Sequence, residues 1–146
     1  MSDRSGSPTT PTRMSDFSCR LDSACRRLGL RKVECRRVAA VAVEDGAGSV
    51  AGRDEHSTER RAAQAIAAIL AKRALDLAQR APDGRLVRLR TISIAYERTR
   101  KAVTPLAEAL LLGRKPNKVR IAAVAATGPV GREAARRLRA DPPPSA

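Results

Sequence analysis

Residues 85–113 read RLVRLRTISIAYERTRKAVTPLAEALLLG, and their reading decides the fold. Within 85–95, Arg88, Arg90, Ile92 and Ile94 alternate with Val87, Leu89, Thr91 and Ser93. That period of two, with its β-branched content, reads as a strand. The same residues carry a second pattern. Leu89, Ile92, Tyr96, Thr99, Val103, Leu106 and Leu110 recur at alternating intervals of three and four, the seam of a helix that packs on a neighbour. Pro105 interrupts that seam, because it removes an i→i−4 hydrogen bond and crowds the preceding turn. The proline tips the reading toward a strand to 95, a helix over 96–103 and a second helix over 105–112. Thr104 caps the last of these, Pro105 fits its first turn, and Gly113 suits a left-handed stop.

Before this stretch lies the strongest helical signal, TERRAAQAIAAILAKRALDLAQRA at 58–81. Ile66, Ile69, Leu70 and Leu77 fall on one stripe, which Ala62, Ala63 and Ala74 complete. Alanine costs least in a helix, and Ser57 or Thr58 can cap the start. Pro82-Asp83-Gly84 marks the end. Such a helix is about 36 Å long at 1.5 Å per residue. It reads as a crossover helix over a sheet, with those four large side chains inward.

The first half is short elements and loops. Residues 16–28 form an amphipathic helix with Phe17, Leu21, Ala24, Cys25 and Leu28 on one face, and Gly29 at its stop. RRVAAVAV at 36–43 is a short apolar run with Val38, Val41 and Val43, which reads as a buried strand. Gly46, Gly48 and Gly52 follow it. Glu44 and Asp45 repel an anion there, so 44–52 reads as a flexible loop rather than a phosphate cradle. Cys19, Cys25 and Cys35 contain no pair at the two-to-four spacing of zinc sites, and His56 is the sole histidine. They read as reduced thiols, with no metal.

The C-terminal stretch KVRIAAVAATGPVGREAARRLR, 118–139, alternates Val119, Ile121, Ala123 and Ala125 as a strand before a glycine-rich turn and a helix from Arg132. Ala125-Ala126-Thr127-Gly128-Pro129-Val130-Gly131 resembles the G-A-T-G-x-x-G fingerprint in the first βα unit of NAD(P)-binding Rossmann proteins, the atypical short-chain dehydrogenases in particular. The resemblance implies a pyrophosphate site at Thr127, Gly128 and Gly131, with NAD(P) as an alternative to no cofactor. It covers this stretch alone. Ala125 stands where the first glycine belongs, and no second strand with a ribose-binding acid follows. A helix-turn-helix over 120–138 with Gly128 in the turn is a further reading. Pro129 and Arg137 fall where that motif wants apolar packing residues.

Strands at 36–43, 85–95 and 119–125, interleaved with helices, define an α/β class: a small, three-stranded parallel sheet with right-handed crossovers. A mostly α-helical bundle is the alternative. Residues 1–14 and 141–146 read as disordered tails around a single domain at 15–140. No apolar run is long enough for a membrane span, no secretory leader is evident, and the expected location is cytoplasmic.

Lys and Arg number 29 against 15 Asp and Glu, a net charge of +14. That excess attracts polyanions, and Arg bonds two phosphate oxygens at once. The expected partner is DNA or RNA, held by phosphate contacts without catalysis. With one Tyr, one Phe and no Trp, base-stacking platforms are excluded. Candidate contacts are Arg60, Arg61, Lys72, Arg73, Arg88, Arg90, Arg114, Lys115 and Lys118. Basic doublets are spread along the whole chain, and GC-rich codons yield the same Arg, Ala, Gly and Pro in any frame. Composition by itself therefore assigns no selected function. No nucleophile–base pattern or paired carboxylates support an enzyme.

Overall fold

The structure, a computed structural model, describes residues 10–48, 56–80 and 89–140, with side chains at 16–43, 56–80 and 92–140. Six helices account for its elements: α1 (Thr10–Leu28), α2 (Lys32–Gly48), α3 (Ser57–Gln79), α4 (Leu89–Leu111), α5 (Lys118–Ala125) and α6 (Pro129–Ala140). No strand occurs among the described residues. The α/β sheet expected from the sequence is therefore wrong, and the chain is mostly α-helical.

Burial explains each correction, because it follows a period near four and not two. In 36–43, part of α2, Val38 and Ala42 are buried in line with Glu34, while Val41 and Val43 are exposed. Glu44 to Gly48, read as loop, complete the same helix, and Gly52 lies outside the described residues. In α5, Ile121 and Val124 are buried but Val119 is 77% exposed. In α4, Ile92 is buried and Ile94 is exposed. Valine's preference for strands and alanine's for helices are of similar size, and alanine leaves the period of such runs undetermined, so packing decides.

Helix α4 is one continuous helix with Pro105 inside it. The heptad seam is its buried face: Ile92, Thr99, Val103, Leu106 and Leu110 all lie in the core. The hydroxyls of Thr99 and Thr104 donate to the carbonyls of Ala95 and Arg100, both at 2.8 Å. Buried alanines Ala62, Ala63, Ala67 and Ala71 on α3 let α4 approach closely, and these two helices share the largest interface. Ile66 and Leu70 face inward as expected and Ile69 is partly buried, whereas Leu77 is exposed.

The stops and starts are legible locally. Gly29, at φ 84°, closes α1 with Gly29 N donating to Arg26 O and Leu30 N to Cys25 O. Gly113, at φ 75°, closes α4 in the same way through Leu110 O and Ala109 O. Glu34 accepts from Arg31 N at 2.8 Å, half of a capping box on α2. Asn117 caps α5 by accepting from Arg120 N. α1 begins at Thr10, inside the segment read as a tail; 1–9 and 141–146 lie outside the described residues.

α3 touches α1, α2, α4 and α6 and shares its largest interface with α4. α5 and α6 pack on each other, α5 also on α4, and α6 on α1 and α3. This arrangement leaves a cleft where α1 faces the α4–α5 connection.

Candidate nucleic-acid interface

The cleft is a groove of about 1450 Å³. Its floor is formed by Ala24, Leu110, Ile121, Ala122 and Leu138. α1 contributes Arg20, Arg26 and Arg27 to its walls, and the connection at 113–117 contributes Arg114 and Lys115. Lys118 from α5 and Arg139 from α6 complete the basic lining, against one acid, Asp22. Two helix stops build this. The left-handed turn at Gly113 swings the chain away from α4, and Pro116 and Asn117 start α5 only after a basic turn. A Cβ on Gly113 would stand 3.2 Å from Arg20 Nε, so the α1 arginine lies across the connection.

Of the nine cations expected from sequence, the seven with described side chains separate into two sets. Arg114, Lys115 and Lys118 share the groove, are exposed, and have no carboxylate partner among the described residues. Those of α3 are engaged by other groups of the protein. Arg60 faces Glu108 at 3.9 Å, Lys72 pairs with Asp76 at 3.6 Å, and Arg61 is half-buried and engaged. Arg73 donates to Glu34 and, at 3.1 Å, to the carbonyl of Gly29. Arg88 lies outside the described residues, and Arg90 is in the first turn of α4 with its side chain outside them.

Sequence reasoning missed Arg20, Arg26, Arg27 and Arg139. The first three had a signal: Arg20 and Arg27 are seven apart, two turns on one side of α1, with Arg26 adjacent. Nothing local marks Arg139, which joins the groove only through the packing of α6 on α1.

The fingerprint residues span the last residue of α5, the turn at 126–128 and the first residues of α6, with no strand before them. Thr127 donates its hydroxyl to Val124 O at 2.7 Å. Gly128 has φ 143°. Gly131 lies so close to Val124 O and Thr127 Oγ1 that a Cβ there would collide with both. All three serve the tight passage from α5 to α6.

Cys25 and Cys35 are held as protonated thiols. Burial pushes Cys25 well above the usual thiol range, aided by Cys35, Asp22 and Glu34. Cys35, also raised mainly by burial, donates to Asp22 at 3.6 Å. A protonated thiol is a poor nucleophile and a poor ligand. Among the described residues, no three His, Cys, Asp or Glu side chains gather to hold a metal ion, and no helix is long and apolar enough to cross a membrane.

The fold and groove define a small helical bundle with a cationic cleft. No protein family, no curated protein and no solved structure matches the chain.

Proposed function

We propose that the chain binds nucleic acid through backbone phosphates in the groove between α1 and the α4–α5 connection, without chemistry on the bound strand. One observation carries this: Arg114, Lys115 and Lys118 converge with Arg20, Arg26 and Arg139 on one cleft that holds a single carboxylate. Unpaired cations release counterions from a polyanion when they meet it, and that release drives binding. Cations already paired with carboxylates contribute far less. The scarcity of aromatic side chains removes base stacking as an alternative source of affinity.

Fluorescence anisotropy with a labelled duplex, titrated across salt concentrations, tests the reading. Log affinity is expected to fall linearly with log salt, by about 0.9 for each phosphate neutralised. Replacing Arg114, Lys115 and Lys118 together by alanine should flatten that slope and weaken binding by about tenfold or more at low salt. Absence of binding by the parent at low salt, or an unchanged slope in the triple variant, defeats the proposal.

A further inference from the structure

Residues 118–140 are two helices joined by a short turn at 126–128, with the first in contact with α4. Pro129 and Arg137, where a helix-turn-helix wants apolar packing residues, are both exposed, yet neither disrupts the helix pair. Pro129 is the first residue of α6, a position where its missing N–H costs nothing. Arg137 does pack, through its stem: a Cβ on Gly29 would stand 3.0 Å from Arg137 Cδ. Its head meanwhile reaches Glu133 at 3.0 Å. Inward, α6 presents Gly131, Ala134, Ala135 and Leu138, three of them small, so its axis lies close against the bundle.

The outward side is cationic. Arg132, Arg136 and Arg139 are exposed at intervals of four and three, one stripe of the helix. Glu133, the one acid of α6, holds Arg136 at 2.7 Å. A helix with its side chains is about 10–12 Å across and the major groove of B-form DNA about 12 Å wide. Lys118 stands at the start of α5 beside Arg114 and Lys115. The first helix of such a motif crosses the DNA backbone there.

Resting on the nucleic-acid reading above, we infer that α5 and α6 form a helix-turn-helix unit whose partner is double-stranded DNA. α6 enters the major groove with Arg132 toward base edges, Arg136 joining it on release from Glu133, while Lys118 and the groove cations hold flanking phosphates. Arg at a base edge bonds O6 and N7 of guanine together. The deep, narrow major groove of A-form RNA does not admit a helix.

The full-length chain is titrated with one mixed sequence prepared as duplex DNA, as duplex RNA, and as duplex DNA methylated at guanine N7. DNA is expected to bind about tenfold or more tightly than RNA, and N7 methylation to remove most of that advantage. The double variant Arg132→Ala/Arg136→Ala should lose the same advantage while keeping its affinity for RNA. Equal binding of DNA and RNA, or indifference to N7 methylation, overturns the helix-turn-helix assignment and leaves the phosphate-binding groove standing. Failure of both duplexes to bind at low salt overturns both.

Discussion

Arg73 of α3 reaches the carboxylate of Glu34 on α2, and its other guanidinium nitrogen donates to Gly29 O at the end of α1. One side chain thus fastens three helices. Glu34 is buried, its side chain 7% exposed, and Arg31 supplies a backbone N–H and a guanidinium to the same carboxylate. A buried carboxylate with these donors is stable only while they remain, because removing one partner leaves an unsatisfied charge.

Replacement of Arg73 by alanine should therefore destabilise the fold by about 1–3 kcal/mol, allowing for the partly exposed guanidinium. Lys72→Ala, beside it in sequence, loses only an exposed pair with Asp76 and should cost under about 0.5 kcal/mol. Urea unfolding of the two variants makes the comparison. Equal costs would refute the assigned role of Arg73.

The same carboxylate gives the fold a dependence on acid. Burial raises the Glu34 pKa, but the Arg31 hydrogen bonds and the Arg73 charge outweigh it, so the net value lies below the ordinary 4.5. Between the two values the unfolded chain binds the proton and the folded chain does not. The stabilisation is complete above pH 4.5 and is lost as pH falls through the folded value. Glu34→Gln should lower stability at neutral pH and show less additional loss on acidification. Melting temperatures measured from neutral pH down to about pH 3 follow both effects, and parallel curves for parent and variant would contradict the argument.

Gly131 and Gly128 were read from sequence as parts of one nucleotide cradle, and the structure gives them different work. A Cβ at Gly131 meets the backbone carbonyl of Val124, which cannot yield as a side-chain tip can. Gly128 has open space around it, and alanine there suffers only the strain of φ 143°. Gly131→Ala is expected to cost about 3 kcal/mol by overpacking. Gly128→Ala should cost about 1–2 kcal/mol by backbone strain. Denaturation midpoints of the pair test this, and a Gly131→Ala protein as stable as the parent would dismiss the close approach of α5 and α6.

Local chemistry made part of this fold legible. Gly29 and Gly113 announced their helix stops, and the stripe through Ile66 and Leu70 announced α3. The heptad seam of α4 was equally visible but was set aside for Pro105. Magnitudes show why that choice failed. A proline inside a helix costs about 3 kcal/mol, whereas burying one large apolar side chain contributes about 1.5–3. Ile92, Val103, Leu106 and Leu110 together outweigh one lost hydrogen bond. Arg114, Lys115 and Lys118 line one groove, but their separation from Arg73 leaves no mark in the sequence. Pairing of Arg73 depends on Glu34, 39 residues away, and no local pattern reports such a neighbour.

Leu77 and Ile66 occupy the same sequence stripe, yet Ile66 is fully buried and Leu77 is 46% exposed. Ile66→Ala should cost about 2–5 kcal/mol through lost burial and the cavity left behind. Leu77→Ala should cost under about 1 kcal/mol, since much of its surface already meets water. Chemical unfolding of the two variants tests the placement of α3, and a Leu77 cost equal to that of Ile66 would be incompatible with it.

The α1 arginines give the last prediction, because no sequence argument had marked them. Arg20 and Arg26 are exposed on the groove wall opposite Arg114 and Lys115. If the groove holds phosphates, Arg20→Ala/Arg26→Ala should reduce the salt slope of duplex binding by about 0.9 for each lost contact. Lys72→Ala on α3, whose ammonium is occupied by Asp76, should leave the slope unchanged. Both variants alter surface cations, so a general effect of net charge would weaken binding in each. Only a located site makes the α1 variant steeply worse and spares the α3 one. Equal losses per removed charge in the two would reduce the groove to one patch of a uniformly basic surface.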